Sequence, residues 1–364
     1  MDFAATAIID TAALKHNFEV LRRASPGCKV MAVIKANAYG HGLVPVATAL
    51  ENADSFAVAR ISEARALREA GVRTPIVLLE GVFDASDLQA ALALDCETVV
   101  HCDEQLALLA ASDRQPGIIW IKVDSGMNRL GFPPDRFAGV VAQVSATCEY
   151  AELRLLSHFA SADLDSSYQT TAQLHTLKPL IESWGGGLSL ANSPGGLRGL
   201  AAGGFSATDR DVWIRPGIGL YGITPFEDGG APEHEPLVPV MEFSAKIIAT
   251  RTIGIGDRVG YGGRFRADKP MRVGIVAAGY GDGYPRMLPD GAPVLIDGAR
   301  AGLVGRVSMD MLAVDLTDLP DSGYGSAVTL WGKALPVGVV ANALGTIGYE
   351  LVTRVSDRVT RRYL

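Results

Sequence analysis

Through roughly the first two thirds of the chain, short runs of aliphatic and β-branched residues alternate with stretches whose apolar positions recur every three to four residues. The first pattern predicts strands buried on both faces, the second helices with one wet side. KVMAVIK (29–35), SFAVAR (55–60), PIVLLE (75–80), ETVVHC (97–102), IIWIKVD (118–124), AELRLLSH (151–158), LSLANS (188–193) and DVWIRP (211–216) supply the strand candidates. Between them, ISEARALREAG predicts a helix with Ser62 as N-cap and Gly71 as stop, and SDLQAALAL one that starts from Ser86. Eight strand–helix units in roughly 230 residues match a (β/α)8 TIM-type barrel, whereas a doubly wound sheet would normally close with fewer strands.

Past that point the texture changes. EDGGAPEHEP reads as a linker, and EFSAKIIATRTI, MRVGIVAAG, APVLIDGARAGLVGRVS and SAVTLWG read as short strands between glycine turns. The expectation is an α/β chain of two domains, a barrel over residues 1–232 and an all-β domain over 233–364. At 364 residues the chain exceeds the size at which one core keeps growing.

Composition narrows the function classes. With 48% hydrophobic and 20% charged residues and no apolar segment of bilayer length, the chain reads as soluble and globular. A net charge of -7 without a basic block argues against nucleic acid. Cys28, Cys96, Cys102 and Cys148 lack the spacing of a disulfide framework or zinc site. The start MDFAATAIID lacks the basic and apolar regions of an export signal, so the expected location is cytoplasmic.

In a barrel, reactive groups gather where strands run into the βα loops. Lys35, Lys122, Arg129, His158, Ser193 and Arg215 stand at or just past strand ends. One such residue alone would simply mark where a strand meets water. Two lysines, two arginines and a histidine on one rim would repel each other unless a small anionic ligand, phosphorylated or carboxylated, compensates. RPGIGLYG formally holds GxGxxG at Gly217, Gly219 and Gly222, but it follows the eighth strand and opens no long helix. It fits a phosphate-binding loop instead, with Ser193 beside it. Lys35 follows a buried apolar run, where desolvation lowers its pKa and frees the amine to attack an aldehyde. Lysine and phosphate loop together suggest pyridoxal 5'-phosphate (PLP).

The stretches AVIKANAYGHG, KVDSGMNRLG, LSHFA, ANSPG, RPGIGLYG, VGYGG, GYGDGYPR, VSMD and GTIGYE, in this order over nearly the whole chain, resemble the motif set of bacterial alanine racemases. The resemblance implies that Lys35 holds PLP and acts as a base on one face of the substrate α-carbon. It implies that Tyr261 is the second base, supplied by the other subunit of a head-to-tail homodimer. Arg215 would face the pyridine nitrogen with His158 bonded to it, and Arg129 would contact the substrate carboxylate together with the backbone at Met309. Tyr39, Ser193, Tyr349 and the backbone at Gly217 and Ile218 would hold the phosphate, Tyr280 would line the substrate entrance, and Lys122 would be open to carbamylation. The implied reaction is interconversion of L- and D-alanine, supplying D-alanine for peptidoglycan. ANSPGG and VSMD depart from the commonest family pattern by proline and glycine for alanines and by serine for cysteine, which leaves the cup's local shape and the side-chain selectivity open. A racemase of broader specificity, a PLP decarboxylase or aldolase, and a non-catalytic PLP-binding barrel are the alternatives. Arg215 speaks against a decarboxylase, the lack of a visible metal cluster against an aldolase, and the β domain against a non-catalytic barrel. No metal is expected.

Overall fold

The computed structural model describes residues 3–201, 210–226 and 232–364. Eight parallel strands close a barrel: β2 (Lys29–Val33), β3 (Ser55–Val58), β4 (Ile76–Leu78), β5 (Cys96–Val100), β6 (Ile118–Lys122), β7 (Glu152–Leu156), β8 (Gly187–Ser189) and β9 (Val212–Ile214). The expected TIM-type architecture is therefore present. Parallel strands are covered by helices outside and by one another's side chains inside, which is why their apolar runs are nearly continuous. Met31, Val33, Ala57, Val77, Val99, Trp120, Leu156 and Trp213 fill the lumen. Arg154 lies over the rings of Trp120 and Trp213, 5.1 Å from each centroid, and pairs with Glu97 at 3.4 Å. The lumen is a packed plug, and chemistry is left to the opposite, C-terminal rim.

Two helix caps differ from expectation. The helix Ile61–Glu69 is capped at Arg60, whose N–H donates to Glu63 at 3.1 Å, so Ser62 is inside the first turn. The helix Ala85–Ala93 is capped by Asp84, which accepts from the Asp87 N–H at 2.8 Å, while Ser86 donates to the same carboxylate. In both cases a carboxylate, the stronger acceptor, holds the helix start: Glu63 takes the N–H groups of Ala59 and Arg60, and Asp84 that of Asp87. Gly71 follows the first helix with φ +85°, as a stop requires.

The second sheet contains β10 (Met241–Ile253), β13 (Met271–Val276), β14 (Pro293–Ile296), β15 (Ala299–Gly302), β16 (Leu312–Asp315), β17 (Ala327–Trp331) and β18 (Thr360–Tyr363). A separate two-stranded ribbon pairs β11 (Arg258–Val259) with β12 (Phe265–Arg266). APVLIDGARAG forms the β14–β15 hairpin, turning at Asp297 and Gly298 with φ +49° and +86°. The domain boundary along the chain has one addition: β1 (Thr6–Ile9) lies in this second sheet, antiparallel to β10 and parallel to β18. The first five residues of EDGGAPEHEP lie outside the described residues. Beyond them Asn17 ties the chain to the barrel, donating to Leu220 O (3.0 Å) and Val238 O (2.8 Å) and accepting from Val238 N (2.7 Å). Among the described residues no helix is long and apolar enough to cross a membrane.

Candidate active site

Lys35 does not end a strand, as its apolar prefix suggested; β2 stops at Val33, and Lys35 opens a tight turn. Ala36, Asn37, Ala38 and Tyr39 have φ between +52° and +54°, four consecutive non-glycine residues in the left-handed region. Each costs roughly 1–2 kcal/mol, so the surroundings must hold the turn. Glu63 accepts from Ala36 N at 2.6 Å, Asn37 Oδ1 accepts from Leu43 N at 2.8 Å, and His41 Nδ1 donates to Ala38 O and Tyr39 O at 3.1 and 2.9 Å. Gly40 closes the turn with φ +80°, and a β-carbon there would sit 2.0 Å from Val352 O. Gly40→Ala is expected to lower stability by about 2 kcal/mol through backbone strain and clash, read as a fall in the thermal midpoint.

The rim cations converge as the sequence suggested. Arg215 is buried; its guanidinium donates to Ser189 Oγ and Ser157 O at 2.5 Å each, to His158 Nδ1 at 3.1 Å and to Leu190 O at 3.3 Å. Burial brings its pKa down to about 9. A guanidinium has only donors, so His158 Nδ1 must accept, which places any ring proton on Nε2. Burial, then Arg215 and Lys122, hold His158 far below its ordinary range and keep it neutral. Burial, then Arg215, Arg129 and Lys35, bring Lys122 to about 8. The Lys35 amine is lowered chiefly by burial, with Arg129 and Arg60 adding to the effect and Glu80 and Glu63 opposing it.

Arg129 lies on an exposed loop whose shape is set by Asp124, which accepts from the N–H groups of Gly126, Met127 and Asn128 at 2.9–3.1 Å. That carboxylate is spent on its own loop and neutralises the cluster weakly. Among the described residues Glu80 and Glu63 offset the charge only at Lys35, and around Lys122 positive charge outweighs negative, so an anionic ligand relieves the repulsion.

On the neighbouring side Ser193 Oγ accepts from Gly217 N (2.8 Å) and Gly219 N (3.2 Å). These two amides are thus already used, and the Ile218 N–H between them has no partner among the described residues. A β-carbon on Gly217 would stand 2.4 Å from Tyr39 Oη, so glycine is required for the phenol to reach this loop. Tyr39 stacks on Tyr221 (4.8 Å between centroids) and tilts against Tyr349 (6.3 Å). Burial pushes Tyr39 up to about 12 and Tyr349 higher still, so both stay protonated and can donate. Two phenols, one free amide and a nearby amine suit a phosphate that carries an aldehyde. A cavity of about 980 Å³ opens alongside, lined in part by His41, His158, Asn192, Tyr221 and Tyr349.

Three of the sequence candidates lie elsewhere. Tyr261, in the turn between β11 and β12, is 68% exposed, Met309 53% and Tyr280 37%. Met309 and Tyr280 are brought together, since Gly281 N donates to Met309 O (2.8 Å) and Tyr280 N to Ser308 O (3.0 Å). Among the described residues no hydrogen bond, ion pair or ring contact joins any of the three to the barrel rim. Sequence reading also missed supporting residues: Glu63, His41, Tyr221 and Gln173, whose Nε2 donates to His158 O at 2.9 Å. Tyr221, inside RPGIGLYG, donates to Val33 O at 3.1 Å just ahead of Lys35.

Barrel, cationic rim, strained lysine turn and β domain define a two-domain barrel enzyme built for an anionic, carbonyl-bearing ligand. Comparison with known proteins gives the family. Residues 9–225 match the family model "Alanine racemase, N-terminal domain" and residues 240–363 "Alanine racemase, C-terminal domain". An alanine racemase of Shewanella sediminis is 47% identical over 355 residues, 97% of each chain. The crystal structure of the biosynthetic alanine racemase from Pseudomonas aeruginosa superposes with a TM-score of 0.90 at 42% identity over the whole of both chains. That of the Bartonella henselae alanine racemase, with covalently bound pyridoxal phosphate, has a TM-score of 0.86 at 29% identity over 99% of both. The chain belongs to the alanine racemase family.

Proposed function

We propose that the protein interconverts L- and D-alanine with PLP as cofactor, two copies of the chain completing each active site. The observation that carries this reading is the Lys35 amine, lowered by burial at the mouth of a barrel where, among the described residues, the neighbouring Lys122 is repelled by three cations and only weakly offset by Asp124. When bound, PLP supplies an aldehyde that a lysine can hold covalently and a ring that makes the amino acid's α-proton acidic. Lys35 Nζ takes or returns that proton on one face, and the partner subunit's Tyr261 does the reverse on the other. Arg215, already a donor to His158, would hold the cofactor's pyridine nitrogen with further donors only, which would keep that nitrogen unprotonated and favour proton return over side reactions. Tyr39, Tyr349 and the Ile218 N–H would donate to the phosphate; Ser193 fixes the loop's shape by accepting from Gly217 and Gly219. Arg129 and the partner subunit's Met309 N–H orient the substrate carboxylate, and Tyr280 lines the way in.

Lys122 fits a further step. Its lowered pKa leaves a fraction of neutral amine, which can add to CO2: an N–C bond forms, a proton leaves, and a carbamate anion remains beside Arg129 and Arg215. Such an anion would orient Arg129. The function is tested by optical rotation of single-enantiomer solutions. L-alanine and D-alanine are expected to lose rotation completely, dependent on added PLP, and L-serine and L-lysine at least tenfold more slowly, a margin that pocket contacts can supply. Unchanged rotation of alanine rejects the activity, and faster serine or lysine rejects the substrate.

A further inference from the structure

We infer that the carboxy-terminal strand β18 is part of the mount of Lys35, with Arg361 and Tyr363 as positioning residues. The left-handed turn ends at Gly40 and His41, and both carbonyls are held from this strand. Arg361 Nε donates to Gly40 O at 2.8 Å and Tyr363 Oη to His41 O at 3.1 Å. Arg361 is itself fixed by donating to Val355 O (2.8 Å), Ser356 O (3.3 Å) and Val359 O (3.4 Å). Tyr363 Oη fills the place a β-carbon on Gly42 would take, 2.0 Å away. The held carbonyls flank His41, whose Nδ1 anchors Ala38 and Tyr39 and whose ring stacks on Tyr221 at 4.5 Å.

A strand of the β domain thus reaches back to its own barrel and fixes the turn carrying both Lys35 and the phenol of Tyr39. The strand is stitched in place at the chain's end, where Leu364 N donates to Ile9 O at 3.0 Å. The same domain carries Tyr261, on the β11–β12 ribbon, so it contributes to the position of both proposed proton carriers, one in its own subunit and one in the next. This inference rests on the assignment of Lys35 as the PLP lysine.

The test compares Tyr363→Phe, Arg361→Lys, Arg361→Gln and the control Thr360→Ala, an exposed position on the same strand. Tyr363→Phe removes one oxygen and keeps the ring, so it folds. Loss of one hydrogen bond is expected to weaken PLP affinity about fivefold in Tyr363→Phe, and loss of a charged donor about tenfold or more in Arg361→Gln, with partial recovery in Arg361→Lys. The pH midpoint of the bound cofactor's visible absorbance should move in the first three and stay in Thr360→Ala. Unchanged affinity and midpoint in Tyr363→Phe and Arg361→Gln, whatever the thermal midpoint does, overturn the inference. Failure of the underlying reading looks different: wild-type protein then shows no cofactor absorbance that depends on Lys35.

Discussion

Mixing two inactive variants, Lys35→Ala and Tyr261→Phe, is expected to restore activity that neither has alone. On the proposed two-chain site, each variant homodimer would lack one of the two proton carriers at every site, and each should fall about a thousandfold or more. A hybrid dimer holds one site in which Lys35 comes from one chain and Tyr261 from the other, and a second site with neither. Random reassortment makes about half the dimers hybrids with one working site of two, so about a quarter of wild-type turnover should return. Co-expression with two affinity tags isolates the hybrid and gives about half. If Tyr261 served its own chain's Lys35, each hybrid site would lack one carrier and nothing would return. The exposure of Tyr261, and its lack of contacts to its own rim among the described residues, motivate the crossed arrangement. Singly exposed aromatics are ordinary, but one held between two glycines with φ of +73° and +72°, Gly260 and Gly262, calls for a function.

The barrel was legible because parallel strands buried on both faces leave continuous apolar runs, and all eight candidates overlap the observed strands. Their ends were less so: KVMAVIK was read two residues past Val33 because Ile34, although fully buried, already belongs to the turn. β1 was missed for a different reason. TAII has no neighbour in sequence to pair with; its partners are residues 241–244 and 360–363, and only long-range pairing makes it a strand. Ser62 and Ser86 are plausible caps by type, yet each helix starts earlier, where Glu63 binds Arg60 N and Asp84 binds Asp87 N.

At the site, charged residues were legible because a lysine or arginine directly after an apolar run is an anomaly that periodicity exposes. Their supports were not. Glu63 lies 27 residues from Ala36, Tyr363 lies 322 from His41, and Ser157 lies 58 from Arg215, so each contact exists only once the chain has folded. The left-handed turn was also hidden: KANAY carries no glycine, and Asn37 with the following Gly40 is a faint signal for φ above zero. Sequence names the groups that do chemistry, because function selects their type. The groups that aim them are ordinary residues in particular places.

Lys122→Met is expected to make the cofactor-free protein more stable and the enzyme slower. Lys122 is 8% exposed, and burial with Arg215, Arg129 and Lys35 brings its ammonium to about 8 from 10.5. The folded state therefore releases this proton at lower pH than the unfolded chain does. Between those two values the unfolded state binds more protons, so this contribution makes stability rise with pH through the window from about 8 to about 10.5. Below the window the full penalty is present, about 3 kcal/mol at 1.36 kcal/mol per pH unit. Methionine fills similar space without charge, which commonly stabilises when it replaces a buried ion. Thermal unfolding of PLP-free protein across that window should show a midpoint that climbs with pH in the wild type, and a flatter, higher profile in Lys122→Met. Bicarbonate should stabilise the wild type and leave the variant unchanged, because a carbamate converts the repelling cation into an anion between two arginines. Turnover should fall about a hundredfold in the variant as Arg129 loses its orienting partner. A variant less stable than wild type with the same pH slope would show that Lys122 is held by favourable contacts, and would remove the charge imbalance from which the anionic ligand was inferred.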